Sequence, residues 1–388
     1  MGLGSYHQSV QLFDHALKLD PRAVMDMRAK GCQKQTMLPF KLVCSRDFYL
    51  PIENHFFPWE KYPLICNQLL ETGIAGAGDF VEPKSAPDED ILLVHTRDYV
   101  TKLRTGTLSS TEEMQLEIPY SEELVEAFWL CAGGTTVAAD WALRDGAAIN
   151  IGGGFHHAFP DHGEGFCVIN DVAIAIRRMQ GDGRIKTALI VDCDVHQGNG
   201  NAFIFGTVRM PANALPTSHL PYIRESPAHD VFTISIHQEN NYPAWKPFSS
   251  VDVNLPDGIG DDRYLASLDD VLRSGFQRFH PDLMCYIAGA DPYSEDQLGG
   301  LALTIEGLKR RDELVFNTAK AHGIPVMVTL GGGYAFNVLD TVTIHCNTVV
   351  AAKHVFSSVG CSSPLDMRVN AQQPYRLMPP EPLASGTN

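Results

Sequence analysis

A stretch of nine residues, DCDVHQGNG (192–200), combines two aspartates, a histidine and two glycines directly after the apolar run TALIV (187–191). Asp194 and His196 are two residues apart, so both side chains point the same way on an extended segment. Asp291 directly follows another apolar run and a small-residue turn, and would add a third ligand. Three protein ligands with open coordination positions are typical of a catalytic zinc site. We therefore predict that these three residues bind a metal ion.

A histidine pair and a tyrosine each follow three consecutive glycines. His156 and His157 come after the glycines at 152–154. Adjacent histidines on a turn suit a proton relay, in which one imidazole accepts a proton from metal-bound water. Tyr334 comes after the glycines at 331–333 and offers a phenol that donates a hydrogen bond to a developing oxyanion. A structural histidine pair or a packed tyrosine would look the same in isolation, so the prediction depends on all these residues lying together.

Short apolar runs alternate with helical patterns along the chain. The apolar runs lie at 40–45, 90–96, 147–152, 186–192, 230–237, 282–289 and 324–331. The helical patterns lie at 121–143, 171–180 (with Asn170 or Asp171 as its cap), 262–279 and 304–322. Near-continuous apolar runs of strand length are typical of parallel strands buried on both faces. The alternation predicts a doubly wound, mainly parallel α/β sheet flanked by helices, in which ligands bind beyond the carboxyl ends of the strands.

The two ends of the chain differ from its middle. Residues 5–25 have helical periodicity, but we expect residues 1–36 to be a peripheral extension. Met37 is an alternative natural start, because MLPFKLVCS begins the first convincing strand. Residues 357–388 are rich in proline and serine and are predicted to form a loose tail. This leaves one catalytic domain at 37–356.

Composition narrows the class of partner. The net charge is −16 with no basic stripe, so we expect no direct nucleic-acid binding. An acidic protein suits a cationic substrate such as a lysine side chain or a polyamine, although a solvated surface explains the charge equally well. The nine cysteines form no CxxC pair and predict reduced thiols. With no apolar run of membrane-spanning length and no visible signal peptide, we expect a cytoplasmic protein.

Five motifs together resemble the zinc-dependent histone deacetylase family, which has the arginase/deacetylase fold. GGGFHH, GFCVIND, DCDVHQGNG, AGADP and GGGY occur in the family's order and spacing between about residues 40 and 356. Three finer features resemble the class IV branch and its bacterial relatives: LLVHTRDYV (92–100), DQLGG (296–300) and KRRDELVF (309–316).

The resemblance implies a role for each candidate residue. The three predicted metal ligands would bind Zn²⁺, although Fe²⁺ suits the same nitrogen and oxygen donors. His157 would be the main general base and acid, with His156 beside it, and Tyr334 would polarise the scissile amide carbonyl. Water would attack the acyl carbon directly, without a covalent intermediate.

The resemblance also implies supporting residues. Asp192 matches the carboxylate that orients the first histidine of the pair. A structural potassium ion would draw on Asp192, the Ser235 hydroxyl and backbone oxygens. The acyl-lysine tunnel would be lined by Gly165, Phe166, Tyr242 and Leu298.

Asn199 departs from the class I pattern, which has an aspartate there. An amide oxygen accepts a hydrogen bond from His157 but supplies no negative charge, so we expect the pKa of His157 to lie below that of a carboxylate-paired homologue. An arginase-like two-metal site would need a further carboxylate three residues after His196. Asn199 and Gln197 are poor anionic ligands, which favours one metal.

Three functions remain open at this point. The substrate is acyl-lysine in a protein, with long-chain acyl groups included by the class IV resemblance, or a small acylated amine such as an acetylpolyamine. A non-catalytic binder of acyl-lysine is the third alternative. It is disfavoured because a binder needs no oxyanion donor such as Tyr334.

Overall fold

The computed structural model describes residues 37–52, 55–206 and 230–357. The chain divides into two units, Met1–Ser357 and Ser358–Asn388, and the second lies outside the described residues. The predictions for residues 1–36 and for the tail beyond Ser357 also fall outside them. Within the described ranges, no helix has both the length and the apolar character needed to cross a membrane.

Within the ranges that the structure describes, eight strands form one parallel sheet, in the order β2-β1-β3-β8-β7-β4-β5-β6. The strands are β1 (Lys41–Val43), β2 (Phe80–Val81), β3 (Ala147–Asn150), β4 (Ala188–Asp192), β5 (Val231–Gln238), β6 (Val251–Leu255), β7 (Leu283–Ile287) and β8 (Val326–Thr329). This sheet confirms the predicted fold class.

Ten α-helices connect and cover these strands in the described part of the chain. They are α1 (Lys61–Glu71), α2 (Asp88–Ile91), α3 (Arg97–Thr105), α4 (Ser110–Leu116), α5 (Glu122–Asp145), α6 (Asp171–Gly181), α7 (Asn199–Phe205), α8 (Asp261–Arg278), α9 (Ile305–Ala321) and α10 (Val338–Ser357). Side-chain caps fix where several of them begin. Asn170 caps α6 by accepting a 2.9 Å hydrogen bond from the backbone N–H of Ala173, and Thr304 caps α9 in the same way.

Both faces of the sheet are buried, as the apolar runs predict. In β4, Leu189 and Val191 belong to one apolar cluster, whereas Ala188 and Ile190 belong to a second. Because successive side chains of a strand point to opposite faces, the two clusters lie on opposite sides of the sheet. The first includes apolar side chains of α1, α8, α9 and α10, and the second includes those of α6, α7 and the later part of α5.

One predicted strand is wrong. Residues 90–96 contain the end of α2 and a turn, not a strand. Pro87 precedes three acidic residues in the first turn of α2, and negative charge at a helix N-terminus stabilises the helix. The short strands β2 and β6 were not predicted; Val251 and Val253 of β6 are only half-buried and give a weak apolar signal.

The prediction that all cysteines are reduced is also wrong for one pair. Cys44, directly after β1, forms a disulfide with Cys66 in α1. Both lie in the core where α1 packs beside β1, a proximity that spacing along the chain does not reveal. The other described cysteines are free.

Candidate active site

The three predicted metal ligands meet at the carboxyl ends of the neighbouring strands β4 and β7. One donor atom from each of Asp194, His196 and Asp291 lies within 4.8 Å of the others. Nδ1 of His196 is 3.1 Å from Oδ1 of Asp194 and 3.4 Å from Oδ2 of Asp291. All three side chains are buried. Among the described residues, this is the one group of three or more such side chains close enough to hold a metal ion.

Glycines allow the two carboxylates to lie this close to the backbone. A Cβ atom at Gly332 would lie 2.3 Å from Oδ2 of Asp291, and one at Gly289 would lie 2.6 Å from Oδ2 of Asp194. The backbone N–H of Gly332 donates a 3.0 Å hydrogen bond to Asp194, and that of Val195 donates one of 2.8 Å to Asp291. These bonds fix the orientation of both carboxylates.

The electrostatics of this cluster fit a divalent cation. Burial, together with the charge of Asp194, raises the pKa of Asp291 to about 7. Burial by itself would lower the pKa of His196, but its hydrogen bonds to the two aspartates raise it to about 10. Two carboxylates and one imidazole nitrogen are donors that hold a catalytic zinc or a similar ion. The residues present therefore fit one divalent metal ion.

Lys61, which sequence reasoning missed, lies beneath this cluster. Its side chain is fully buried, and Nζ donates a 2.8 Å hydrogen bond to the carbonyl oxygen of Gly331. Burial lowers the pKa of Lys61 to about 8, although Asp291 and Asp194 raise it. No local sequence signal marks this lysine, because its partner lies 270 residues away.

The two histidines of the pair have different partners. Nδ1 of His156 lies 2.7 Å from Oδ2 of Asp192, the partner that the resemblance implied. Burial alone would lower the pKa of His156, but Asp192 and Asp194 raise it to about 9. A Cβ atom at Gly198 would lie 2.3 Å from the Asp192 carboxylate, so this glycine makes room for the pair.

His157 has an amide as its partner. Its Nδ1 lies 2.7 Å from Oδ1 of Asn199. Burial lowers the pKa of His157 well below its usual range, and the charges of His156 and His196 lower it further. The pair therefore combines a neutral imidazole with a protonated one. Two neighbouring groups whose pKa values are separated in this way can divide the roles of base and acid.

Tyr334 lies on the opposite side of the cavity, where a buried carboxylate holds its backbone. The backbone N–H of Tyr334 donates a 2.6 Å hydrogen bond to Oδ2 of Asp296, while Leu298 and Gly299 donate to Oδ1. Burial raises the pKa of the Tyr334 phenol well above its usual value, so the phenol remains a hydrogen-bond donor at neutral pH. Sequence reasoning did not assign a role to Asp296.

Two cavities beside the predicted metal ligands share Gly165, Phe166 and Tyr334 in their lining. The outer cavity, of about 160 Å³, is lined by the four predicted tunnel residues, among others: Gly165, Phe166, Tyr242 and Leu298. The inner cavity is only about 20 Å³ and is lined by the histidine pair, Asp194, His196, Tyr334 and Phe57. Phe57 was missed; its ring centroid lies 6.2 Å from that of Tyr334.

The predicted potassium ligands face each other on adjacent strands. Asp192 of β4 pairs in register with Ser235 of β5. The Ser235 hydroxyl lies 2.9 Å from Nδ1 of His237, and Oδ1 of Asp192 accepts a hydrogen bond from the backbone of Asp194. Potassium binding here stays a prediction.

Glu164 is a further residue of the site that sequence reasoning missed. Its carboxylate accepts hydrogen bonds from the Asn199 amide and the Tyr242 hydroxyl. The only sequence signal was an acid between two glycines, in HGEGF (162–166), close to the histidine pair.

Comparison with known proteins supports the resemblance seen in the sequence. The protein-family model of the histone deacetylase domain matches residues 55–350 of this chain. An uncharacterised protein of Picosynechococcus sp. is 40% identical over 82% of this chain and 99% of its own length. Histone deacetylase 2 of Arabidopsis thaliana is 31% identical over 74% of this chain and 71% of its own length.

Solved structures agree on the fold. The crystal structure of an HDAC homologue complexed with SAHA has a TM-score of 0.66 and 24% identity, and covers 82% of this chain and 88% of the other. The HD domain of HDA15 has a TM-score of 0.65 and 22% identity, covering 84% and 90% respectively. These identities show the fold alone, whereas the domain match spans most of the chain. The chain belongs to the histone deacetylase family.

Proposed function

We propose that this protein is a metal-dependent amidohydrolase that removes acyl groups, acetyl first of all, from lysine side chains. The observation that carries this proposal is the convergence of the Asp194–His196–Asp291 cluster, the histidine pair and Tyr334 on one inner cavity. Family membership supports the same class of reaction.

Zn²⁺ is the proposed ion, with Fe²⁺ as the alternative, held by Asp194, His196 and Asp291. When bound, such an ion polarises the acyl oxygen and lowers the pKa of a water molecule. A potassium ion beside Asp192 and Ser235 is part of the same proposal.

The chain's own residues would move the protons and hold the oxyanion. Because Nδ1 of His157 faces an amide oxygen, the neutral imidazole carries its proton on Nδ1 and has a free lone pair on Nε2. Nε2 would therefore accept the proton of the attacking water. The Tyr334 phenol would donate to the oxygen of the tetrahedral intermediate. A histidine of the pair then returns a proton to the departing amine.

The size of the inner cavity supports a short acyl group. A cavity of roughly 10–15 Å³ holds one water molecule, and the inner cavity measures about 20 Å³. This space admits little more than one water-sized group, so the methyl of an acetyl group requires less rearrangement of the lining than a long chain, for which Phe57 and its neighbours would have to move apart. We therefore place acetyl-lysine ahead of long-chain acyl-lysine, which the class IV resemblance had raised.

Hydrolysis of acetyl-lysine and myristoyl-lysine peptides and of an acetylpolyamine tests the proposal. We expect the zinc-loaded protein to prefer acetyl-lysine, and His157→Ala and Tyr334→Phe to lose most of the activity. Equal turnover by the variants would refute the assignment of these residues. Preference for the polyamine would favour a small acylated amine as substrate, and binding of acyl-lysine without release of acid would favour the non-catalytic binder.

A further inference from the structure

One carboxylate oxygen joins the base of the proposed reaction to the tunnel wall. Oε1 of Glu164 accepts a hydrogen bond from Nδ2 of Asn199 and another, 3.0 Å long, from the hydroxyl of Tyr242. Oε2 lies 3.7 Å from Nε2 of His162, and the side chain is 18% exposed. Burial by itself would raise the pKa of Glu164, but its ion pair with His162 and its hydrogen bonds to Asn199 and Tyr242 lower it. The group is therefore an ionised carboxylate at neutral pH.

This carboxylate determines which way the Asn199 amide points. An ionised carboxylate only accepts hydrogen bonds, so the NH₂ end of the amide must face Glu164. The oxygen end then faces Nδ1 of His157 at 2.7 Å and accepts a second bond, of 3.1 Å, from the backbone N–H of Gly200. Without Glu164, an amide turned by 180° would place its NH₂ group against His157 and favour the proton on Nε2.

We propose that Glu164 is a positioning residue for His157: it holds the Asn199 amide in the orientation that leaves Nε2 of His157 free to act as a base, and it supplies through that amide the negative charge that Asn199 lacks. The role as a base rests on the proposed function. When Nε2 takes a proton, the imidazolium stays bonded through Nδ1–H to the amide oxygen. Glu164 keeps its charge throughout, and no proton leaves the amide.

Asn199 is in contact with a carboxylate after all. The amide at this position predicted a histidine relay without a second carboxylate. The structure shows a carboxylate one hydrogen bond further out, in contact with the amide. The same oxygen holds the Tyr242 phenol, whose ring centroid lies 4.9 Å from that of His157. Glu164 therefore links the orientation of the base to one wall of the tunnel.

Asp161, in the same loop, provides a matched control for a purely structural role of Glu164. Oδ1 of Asp161 lies 2.8 Å from Nδ1 of His162, so Asp161 and Glu164 are both partners of this histidine. No hydrogen bond between Asp161 and Asn199 occurs in the described structure. If Glu164 served only to anchor the loop through His162, Asp161→Asn and Glu164→Gln would have similar effects.

The first measurement requires no turnover. Nitrogen NMR shifts of the metal-free protein distinguish a histidine protonated on Nδ1 from one protonated on Nε2. We expect the Nδ1–H form of His157 in the unchanged protein and in Asp161→Asn. In Glu164→Ala we expect a large share of the Nε2–H form, because only the 3.1 Å hydrogen bond from the N–H of Gly200 then still favours the present orientation of the amide. Retention of the Nδ1–H form in folded Glu164→Ala would overturn the orienting role.

The second measurement separates charge from geometry. Glu164→Gln keeps an oxygen for the amide and the phenol but removes the charge, and we expect kcat on acetyl-lysine peptide to fall roughly tenfold. We expect kcat of Glu164→Ala to fall roughly a hundredfold, within the range seen when the partner that orients a histidine is removed. The kcat of Asp161→Asn should stay within about twofold of that of the unchanged protein, which corresponds to a change of less than about 0.4 kcal/mol in the activation free energy.

Moving the carboxylate from position 164 to position 199, where it contacts His157 directly, gives the sharpest comparison. Asn199→Asp alone places two carboxylates against each other, and we expect a lower kcat. In the Glu164→Gln background, the same Asn199→Asp change restores one charge in contact with His157, and we expect kcat to rise. A loss of similar size in both backgrounds would overturn the charge role. Absence of hydrolysis by every protein, with the expected histidine forms in the NMR spectra, would instead refute the proposed function and leave the orienting role established.

Discussion

The backbone N–H of Tyr334 donates a 2.6 Å hydrogen bond to Oδ2 of Asp296. Tyr334 follows a turn that contains Gly331 and Gly333, whose φ angles are 65° and 140° respectively. Because glycines have no side chain, few contacts restrain this turn. Oδ1 of the same carboxylate binds the backbone of Leu298, which lines the tunnel entrance. Asp296 thus fixes the tyrosine relative to the tunnel wall.

Loss of this carboxylate should impair catalysis more than folding. In Asp296→Ala the turn before Tyr334 loses its anchor, and a displacement of about 1 Å at a reacting group costs roughly a hundredfold in rate. We expect kcat on acetyl-lysine peptide to fall by that order. The Asp296→Ala/Tyr334→Phe double variant should be no slower than Tyr334→Phe alone, because both changes remove the same interaction.

The neighbouring acid provides the control for this prediction. Glu295 is exposed and contacts this loop through its backbone oxygen, which accepts a hydrogen bond from the N–H of Phe336. Glu295→Gln should therefore leave kcat within about twofold, which corresponds to roughly 0.4 kcal/mol. Fully additive losses in the Asp296→Ala/Tyr334→Phe double variant would show that Asp296 acts on something other than the tyrosine.

The clustering of the three candidate metal ligands was predictable from the sequence because their signals are local. Asp194, His196 and Asp291 interrupt apolar runs at strand ends, and parallel strands bring such ends to one edge of the sheet. Glu164 and Lys61 were not predictable in this way. Their partners lie 35 and 270 residues away, and an isolated acid or lysine is far more often a solvated surface residue.

The same limit applied to the fold. Buried strands such as β4 and β7 give continuous apolar runs, so they were found. The run at 90–96 is equally apolar, but capping at Pro87 and the acidic first turn make its beginning helical. The disulfide between Cys44 and Cys66 depends on packing of α1 beside β1, which no spacing rule supplies.

A single methyl group at Gly332 should remove metal binding. In Gly332→Ala the added Cβ would lie 2.3 Å from Oδ2 of Asp291 and 2.6 Å from Oδ2 of Asp194, so at least one ligand must move. We expect zinc content per chain to fall from about one to near zero, as measured by atomic emission, because this ion needs near-fixed ligand distances. Gly181→Ala is the control, since nothing lies within 4 Å of the added atom. Full zinc occupancy in Gly332→Ala would contradict the site.

The stability of the metal-free protein should depend on pH through Asp291. Its pKa is raised to about 7 in the fold by burial and by Asp194, so between about pH 4 and 7 the native state holds a proton that the unfolded chain has lost. This contribution to stability is present at low pH and disappears as the pH rises through 7. A shift of this size corresponds to roughly 4 kcal/mol. His196, whose pKa is raised to about 10, extends the same trend to higher pH.

Thermal unfolding between pH 5 and 8 measures this effect. We expect the melting temperature of the metal-free protein to fall as the pH rises, and the slope to be smaller in Asp291→Asn, which has no proton to lose. Saturating zinc should reverse the trend, because the metal requires the deprotonated carboxylate and binds more tightly at higher pH. Equal slopes for the unchanged protein and for Asp291→Asn would exclude Asp291 as the titrating group.

The pKa of His157 should respond to charge at position 199. Burial, followed by the charges of His156 and His196, lowers this pKa well below its usual range, and the hydrogen bond to Asn199 only partly opposes them. A carboxylate in direct contact stabilises the imidazolium and typically raises a histidine pKa by about one unit or more. We therefore expect the His157 pKa to be higher in Asn199→Asp/Glu164→Gln than in Glu164→Gln, by NMR titration of the metal-free proteins. The Glu164→Gln background avoids a second carboxylate that would compete for the proton. An unchanged or lower His157 pKa would show that desolvation and the neighbouring histidines, not the residue at 199, determine the basicity of this imidazole.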